Sequence, residues 1–266
     1  MKRGAISNLL RKLRLIYFTD WLQFYWQRFK HRKVNREFKK TYPDVAIPPD
    51  YLLYESFQIH YPKYYIKSRE AAKDLVLRFK NHTTLDNKKV LDWGCGPARI
   101  LRHLPELMDD NCTFYGTDYN SKSIEWCSEN LPNIQFNNNK LSADLPYEND
   151  YFDIIYGLSI FTHLSAKMHT NWFNELYRVL KPGGIMLITT QGDIYKDKLT
   201  DSEREVFNSG NLVVRGKVKE GHRTYSAFQP KTFMLNMVKP AEVLEHIEQP
   251  VKGKWYPQDI WILRKI

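Results

Sequence analysis

Apolar residues near the start of the chain recur at steps of three and four positions, which is the spacing of one helix face. Residues 6–29 follow this spacing and predict one amphipathic helix. Prolines within 43–49 then interrupt helical structure, because proline lacks an amide donor and restrains the residue before it. We therefore expect an N-terminal helical arm over residues 1–50 and a folded domain over residues 51–266.

From residue 68 onwards, the pattern alternates between segments of helical period and short apolar runs typical of strands. The helical segments are 68–80, 100–108, 121–130, 167–180 and 200–208. The strand-like runs are 89–93, 113–118, 134–137, 152–158, 184–190 and 212–218, with a closing antiparallel pair at 241–247 and 258–264. Strands that alternate with helices predict a parallel sheet covered by helices on both faces.

The basic charge of the chain is concentrated in the predicted arm. The formal net charge is +10, and residues 1–40 hold twelve Lys/Arg against two acidic residues. The remainder is formally neutral, with 28 basic and 28 acidic residues. The arm has neither the uninterrupted apolar run of about 18 residues that spans a membrane nor the cleavage site of a secretory signal. We expect it neither to span a membrane nor to be exported.

The cysteine content adds to this picture. Cys95, Cys112 and Cys127 fit neither a paired disulfide framework nor the ligand spacing of a zinc site. The sequence therefore predicts a protein of the reducing cytoplasm and indicates no metal site.

A glycine turn directly after the run 89–93 carries the strongest chemical signal. There, Val90-Leu91-Asp92-Trp93-Gly94-Cys95-Gly96 leads from a strand into a turn. Glycine lets the backbone approach a ligand closely, and a helix start after the turn would offer free amide donors. The next strand ends in Asp118, 22 residues after Gly96. An acid at that strand end can accept hydrogen bonds from two ribose hydroxyls, so the two features predict a nucleoside site.

The motif Val-Leu-Asp-x-Gly-Cys-Gly resembles the first motif of class I S-adenosylmethionine (SAM)-dependent methyltransferases. The similarity continues through residues 145–156, Leu-Pro-Tyr-Glu-Asn-Asp-Tyr-Phe-Asp-Ile-Ile-Tyr, and ends at residues 175–184, Glu-Leu-Tyr-Arg-Val-Leu-Lys-Pro-Gly-Gly. No third glycine stands where NAD-binding proteins usually carry one, which favours SAM over NAD.

This resemblance implies an α/β fold of the Rossmann-like, doubly wound type. The expected sheet has seven mostly parallel strands with an antiparallel C-terminal strand, and an N-terminal helical extension precedes it. The SAM-binding core would cover about 85–190, and elements over about 191–240 would form the acceptor side or a lid.

The family pattern also implies the cofactor contacts. Asp92 and the turn residues would hold the methionine part, Asp118 the ribose, and the asparagines at 137–139 the adenine, with the choice among the asparagines left open. Gly157 and Ser159 would line the methyl-donor side at the end of the fourth strand. The complete set of cofactor candidates is Asp92, Gly94, Cys95, Gly96, Asp118, Tyr119, Asn138, Asn139, Gly157 and Ser159.

His163 is the candidate catalytic residue. It lies in Phe-Thr-His-Leu (161–164) just after the fourth strand, and an imidazole has a pKa suited to removing a proton from a hydroxyl nucleophile. The alternative is that His163 caps or packs the following helix.

The acceptor is indicated by a finer similarity. The Phe-Thr-His-Leu segment, the Leu-Pro-Tyr loop and Gln-Asp-Ile-Trp at 258–261 are similar to methyltransferases of bacterial surface-polysaccharide pathways, which modify sugar hydroxyls. Residues 156–159 read Tyr-Gly-Leu-Ser instead of the Asn/Asp-Pro-Pro-Tyr/Phe of enzymes that methylate amino groups of bases or amides. We therefore expect O-methylation of a glycan or lipid-linked saccharide, and nucleic acid is not the favoured acceptor.

The arm admits several interpretations. Its cations and aromatic residues suit the headgroup layer of an anionic membrane, so residues 1–40 would attach a cytoplasmic enzyme to the inner face of the cell membrane. The same residues suit RNA, which would make the protein an RNA methyltransferase. The arm could also dock a partner protein on a non-catalytic scaffold, or pack on its own domain or across a homodimer.

Overall fold

The structure, a computed structural model, describes residues 3–251, 253 and 255–266. Lys2, which was counted among the basic residues of the arm, lies outside this range. No helix in the described part of the chain is both long enough and apolar enough to cross a membrane.

The chain divides into two compact units. Tyr17–Lys140 forms one unit, and the residues up to Ile16 form the other together with Leu141–Ile266. Neither division coincides with the boundary expected near residue 50, which stays a sequence-based prediction.

A seven-stranded sheet has the strand order β3-β2-β1-β4-β5-β9-β8. Its strands are β1 (Lys89–Trp93), β2 (Thr113–Asp118), β3 (Gln135–Asn138), β4 (Phe152–Gly157), β5 (Leu180–Thr190), β8 (Ala241–Ile247) and β9 (Asp259–Lys265). Three neighbouring pairs, β1 with β2, β2 with β3 and β4 with β5, are parallel, whereas β9 is antiparallel to both β5 and β8. The predicted fold class is confirmed, including the antiparallel strand near the C-terminus.

The unit Tyr17–Lys140 places β1, β2 and β3 beside four helices, which are α2 (Ile16–Thr41), α3 (Asp50–Ser56), α4 (Ser68–Lys80) and α5 (Ser121–Asn130). Polar side chains of α2 attach it to the segment after α3. Gln27 Oε1 accepts from the Ile59 amide at 3.0 Å, and Asn35 Oδ1 accepts from the Tyr61 amide at 2.9 Å. The buried face of α2 is thus partly polar, and its hydrogen bonds are satisfied by backbone groups.

The prediction of one helix over residues 6–29 is wrong. A short helix α1 (Arg3–Lys12) ends before Arg14, whose φ of 59° lies in the left-handed region, and α2 then begins at Ile16 and runs on to Thr41. A residue whose backbone lies in the left-handed region cannot continue a right-handed helix. The apolar spacing persists across the break, so periodicity alone could not reveal it.

The helix expected over 100–108 is also incorrect. The segment forms a short 3-10 helix, Leu101–Glu106, with Pro105 inside it. Because proline lacks an amide hydrogen and its ring clashes with the preceding turn, an α-helix is disfavoured there.

The second unit contains β4, β5, β8 and β9 with α1, α6 (Ala166–Val179), α7 (Asp201–Asn208) and α8 (Lys231–Met237). The expected strand 212–218 is shorter than predicted, since β6 (Val213–Arg215) pairs with β7 (Ser226–Phe228) over three residues. Within this unit α1 contacts α7, because Asn8 Nδ2 donates to Glu203 Oε1 at 2.9 Å. The part of the arm before residue 17 therefore packs on the elements after β5.

Candidate active site

The glycine turn after β1 is held by the neighbouring strand. The amides of Gly94 and Cys95 both donate to the Thr117 carbonyl, at 2.8 and 2.9 Å. Gly94 has a φ of 74° and Gly96 a φ of 51°. Residues with a side chain are strained in that conformation, so it favours glycine at both positions.

The expected free amide donors of this turn are not found. Besides the two amides that bind Thr117, the Gly96 amide donates to Asp118 Oδ2 at 2.8 Å and the Ala98 amide to the Cys95 carbonyl at 3.0 Å. No α-helix begins directly after the turn. The turn therefore lacks the free phosphate-binding amides that a dinucleotide site presents.

Asp118 lies where the sequence places it, at the end of β2 and facing the glycine turn. It is only 8% exposed. Its Oδ2 accepts from Gly96, and its Oδ1 accepts from the Asn120 amide at 2.8 Å. Burial raises the pKa of Asp118 to about 6, and the nearby carboxylate of Glu55 adds to this effect. Each carboxylate oxygen has a second lone pair, so hydroxyl donors can still bind.

A second buried acid lies near the turn. Asp92 is 5% exposed, and its charge contributes, after burial, to raising the pKa of the Cys95 thiol. Two buried carboxylates with saturated amides make a poor site for a pyrophosphate and a suitable one for a ligand that carries positive charge. SAM has a sulfonium and an ammonium group, so the residues present fit the cofactor that the sequence implied. Cys95 stays a protonated, buried thiol.

The two candidate asparagines at the end of β3 have different surroundings. Asn139 is buried, accepts from Thr117 Oγ1 at 2.6 Å and donates to the Lys140 carbonyl at 2.6 Å, so its side chain is engaged in the fold. Asn138 is exposed and donates to the Asp118 carbonyl at 2.8 Å. Both fix the end of β3 to the end of β2. The adenine contact stays a prediction, as does the contact of Tyr119, which is half-buried beside Asp118.

Helix α3 contributes residues that sequence reasoning missed. A Cβ added to Gly96 would lie 3.0 Å from Ser56 Cβ, so the end of α3 contacts the glycine turn. Glu55 Oε2 accepts from Asn120 Nδ2 at 2.5 Å. Tyr64, which follows α3, donates from its hydroxyl to the Pro97 carbonyl at 2.7 Å. No sequence motif marks these contacts, because α3 precedes the turn by some forty residues.

Replacing Gly96 by Ala is expected to lower the free energy of unfolding by about 2 kcal/mol, because the left-handed backbone and the close Ser56 Cβ both oppose a side chain. Gly183→Ala is the matched control, since Gly183 has a φ of 77° and open space around it. Urea denaturation of both variants measures the difference. Equal losses would show that the contact with α3 has no energetic weight.

The second unit holds Gly157, Ser159 and His163. Gly157 is buried at the end of β4, and Ser159 has a φ of 70°. The Ser159 amide donates to Thr189 Oγ1 at 2.8 Å, and Gln258 Nε2 donates to Ser159 Oγ. Thr189 and Gln258, which are linked at 2.6 Å, hold this strained residue in place. Backbone strain that surrounding groups maintain is frequent at functional sites.

His163 lies in a short 3-10 turn, Phe161–His163, and contacts the segment before β7. Its Nδ1 is 2.8 Å from the Tyr225 carbonyl. A carbonyl can only accept, so Nδ1 carries the proton and Nε2 keeps its lone pair in the neutral ring. Burial lowers the pKa of His163 from its usual value, which keeps the ring neutral at pH 7. This tautomer suits a general base at Nε2.

The segment after β5 also encloses His163 from the backbone side. The Gly221 amide donates to the His163 carbonyl at 3.0 Å, and Glu220 Oε1 accepts from the Ser165 amide at 2.5 Å. Residues 219–225, expected to belong to the acceptor side, thus contact the loop that carries His163. Among the described residues, no group of three or more His, Cys, Asp or Glu side chains is arranged to hold a metal ion.

Comparison with known proteins places residues 90–184 in a family described as a methyltransferase domain. These residues contain β1, the glycine turn, Asp118 and the loop of His163.

Curated relatives with different substrates match the chain. It is 25% identical over 245 residues to a sterol 24-C-methyltransferase of Schizosaccharomyces pombe, covering 83% of this chain and 61% of the relative. It is 31% identical over 101 residues to a tRNA (carboxymethyluridine(34)-5-O)-methyltransferase of Arabidopsis thaliana, covering 38% of this chain and 23% of the relative. The chain thus spans less than two thirds of the length of these relatives.

A crystal structure of a SAM-dependent methyltransferase from Methanosarcina mazei shares the fold. It aligns with a TM-score of 0.55 and 16% identity over 71% of this chain and 97% of that protein. The PH0226 protein from Pyrococcus horikoshii aligns with a TM-score of 0.52 and 18% identity over 77% of this chain and 96% of that protein.

Proposed function

We propose that this protein transfers the methyl group of SAM to a hydroxyl of a saccharide acceptor, because residues 90–184 match a methyltransferase domain and the chain shares the fold of a SAM-dependent methyltransferase. The acceptor is a surface glycan or a lipid-linked saccharide at the inner face of the cell membrane.

The observation that carries the proposal is the pairing of buried Asp118 with the glycine turn. Asp118 would accept the ribose hydroxyls, and Asp92 with Gly94–Gly96 would hold the methionine part. Bound there, SAM supplies a methyl group on a sulfonium leaving group. The protein then has to orient the nucleophile and remove its proton.

His163 supports a hydroxyl acceptor, because an alcohol must lose its proton as its oxygen attacks a methyl carbon. In this proposal His163 Nε2 would take up the hydroxyl proton of the acceptor, and SAM would supply the methyl group together with its sulfur leaving group. Hydrogen bonding of Nδ1 to Tyr225 orients the ring for this role. An already nucleophilic amine would need no such base.

The exposed face of α2 supports a membrane location. Six side chains, which we call the aromatic stripe, all lie exposed on α2, and Phe29 is 80% exposed. They are Phe18, Trp21, Leu22, Tyr25, Trp26 and Phe29. Exposed aromatic rings beside lysine and arginine suit the interface of an anionic bilayer, where each cation adds about 1 kcal/mol of attraction.

A second candidate function is RNA methylation. Two curated relatives are named as tRNA methyltransferases, and the basic arm would suit phosphates. The aromatic stripe favours the membrane, because it includes the aliphatic Leu22, which cannot stack on a base.

Transfer of tritium from methyl-labelled SAM tests the acceptor class directly. The full chain is incubated separately with diphosphate-linked lipid saccharides and with total tRNA, and label is counted in each purified acceptor. Label in the saccharide supports the proposal. Label in tRNA alone would replace it with the second candidate, and failure to bind SAM would leave a non-catalytic scaffold.

SAM affinity is expected to fall as the pH drops through about 6, the pKa to which burial raises Asp118. The carboxylate must be ionised to accept from ribose hydroxyls, so the dissociation constant should rise by up to about tenfold per pH unit below that value. Calorimetric titration between pH 7.5 and 5 measures it. Asp118→Asn should remove the pH dependence of the residual binding, and an unchanged profile in that variant would assign the effect to another group.

A further inference from the structure

Helix α2 and the segment after α3 border an open cavity of about 750 Å³. Five cationic side chains of the helix line it, together with Tyr61. The cations are Arg28, Arg32, Arg36, Lys39 and Lys40. We call this space the cationic cavity.

The cations of the cavity greatly outnumber its acids. Asp50 is the acidic residue among its lining residues, and its carboxylate already accepts from Arg28 Nε at 2.8 Å and from the Tyr61 hydroxyl at 2.9 Å. Throughout the part of the chain that the structure describes, no carboxylate lies within ion-pair distance of Arg32 or Arg36. These two guanidinium groups are available to an anion.

The spacing of the cations destabilises the helix. Arg28, Arg32, Arg36 and Lys40 follow one another at steps of four, which brings like charges together on one helix face. Such pairs are destabilising in an isolated helix. A bound anion would offset this repulsion, and guanidinium groups pair with phosphate oxygens through two parallel hydrogen bonds.

The part of the wall that Tyr61 forms is fixed in place. Tyr61 is held by its hydroxyl on Asp50 and by its amide on Asn35 Oδ1, and Lys39 Nζ lies 5.4 Å from the centre of its ring. An anion entering the cavity would therefore meet a formed wall, which reduces the ordering cost of binding.

A second cavity of about 620 Å³ adjoins the first, because Arg28, Lys39, Asp50 and Tyr61 line both. Its other walls are mainly apolar and aromatic, and they include Pro48, Tyr51 and Trp126. Aromatic faces and proline rings suit the carbon faces of a sugar ring or an acyl glycerol body. The two spaces together fit an anionic group attached to a less polar body.

We propose that the cationic cavity binds the phosphate or diphosphate group of a phosphate ester and that the adjoining cavity receives the attached body. The aromatic stripe on the same helix, with Tyr25 and Phe29 lining the cavity itself, places this ester at a membrane surface. The identification of this ester as the methyl acceptor rests on the proposed function. Binding of an anion in the cationic cavity does not depend on it.

Titration of the full chain with inorganic pyrophosphate tests the cavity. Arg32→Gln/Arg36→Gln should weaken pyrophosphate binding by about tenfold or more, because two charge-assisted contacts are lost. Lys30→Gln/Lys33→Gln is the matched control, since it removes the same charge from the same helix at positions that do not line the cavity. SAM affinity, expected to stay unchanged in both double variants, confirms that they fold.

Failure of the wild type to bind pyrophosphate would overturn the proposal, and so would equal weakening in the two double variants. Tight binding of total tRNA that the arginine pair weakens, without pyrophosphate binding, would assign the cavity to RNA and also overturn it. Methyl transfer to a saccharide despite absent pyrophosphate binding would refute the cavity while sparing the proposed function. Pyrophosphate binding without methyl transfer would refute the proposed function and leave the anion site supported.

Flotation with phosphatidylglycerol vesicles then distinguishes the sources of the phosphate. If the arginine pair weakens flotation more than the lysine pair does, and pyrophosphate competes, a lipid headgroup enters the cavity. If flotation is equal in both double variants while pyrophosphate binding differs, the cavity takes a soluble phosphate ester. Both results support a phosphate site, but the second contradicts the placement of its ester at a membrane surface.

Discussion

Asp118→Ala is expected to weaken SAM binding by at least about 100-fold. The substitution removes two hydrogen bonds from ribose hydroxyls to a carboxylate, and each contributes about 1.5 to 3 kcal/mol to the binding free energy. The substitution also removes the acceptor of the Gly96 amide, which loosens the glycine turn. Asp118→Asn retains the shape and one acceptor oxygen, so its loss should be smaller, about tenfold. Calorimetric titration with SAM and with its demethylated product measures both.

The matched control is Asp74→Asn, which neutralises an exposed acid on α4. It should leave SAM affinity within a factor of about two, because exposed charges are screened by salt. Thermal unfolding without cofactor separates a lost contact from a lost fold. Wild-type affinity in Asp118→Ala would mean that the ribose does not bind at the end of β2.

The placement of Asp118 beside the glycine turn could be predicted because parallel strands end at the same edge of a sheet. The strand after the motif had to run beside β1, so its last residue had to meet the turn. The hydrogen-bond partners of the turn amides could not be predicted in this way. They are satisfied by the Thr117 carbonyl and by Asp118, and that depends on the register between β1 and β2.

Contacts between distant positions were equally hidden from the sequence. Ser159 after β4, Thr189 on β5 and Gln258 just before β9 form one hydrogen-bonded group, although they are 30 to 99 positions apart in the chain. None of the three lies in a motif that specifies the other two. The positive φ of Ser159 is likewise a tertiary effect, since serine has no intrinsic preference for the left-handed region.

The arm shows how a correct pattern can yield a wrong element. The apolar spacing over residues 6–29 is real, yet Arg14 interrupts it with a left-handed backbone. The face that α2 buries is the partly polar one with Gln27 and Asn35, and most of the apolar spacing faces solvent. A helix that exposes its aromatic side chains and buries amides is organised for an external apolar partner. This inversion is the structural basis of the proposed membrane contact.

His163→Gln is expected to lower kcat for methyl transfer by about 100-fold or more while leaving SAM affinity unchanged, because a positioned general base contributes about 10² to 10⁴. Burial lowers the pKa of His163, so wild-type activity should fall as the pH drops below the usual imidazole range and the base becomes protonated. The glutamine variant should lack this pH dependence. A purely structural role would instead change stability and leave the profile of the residual activity intact.

The control for this prediction is His82→Gln, which alters a histidine after the end of α4. Rates are measured with tritium-labelled SAM and the acceptor that takes up label in the transfer assay. Glutamine can occupy the space of the ring and donate to the Tyr225 carbonyl, as Nδ1 does, but its amide cannot take up a proton at neutral pH. A full rate in His163→Gln would therefore show that no base is needed at this position. It would favour an acceptor atom that is nucleophilic without losing a proton.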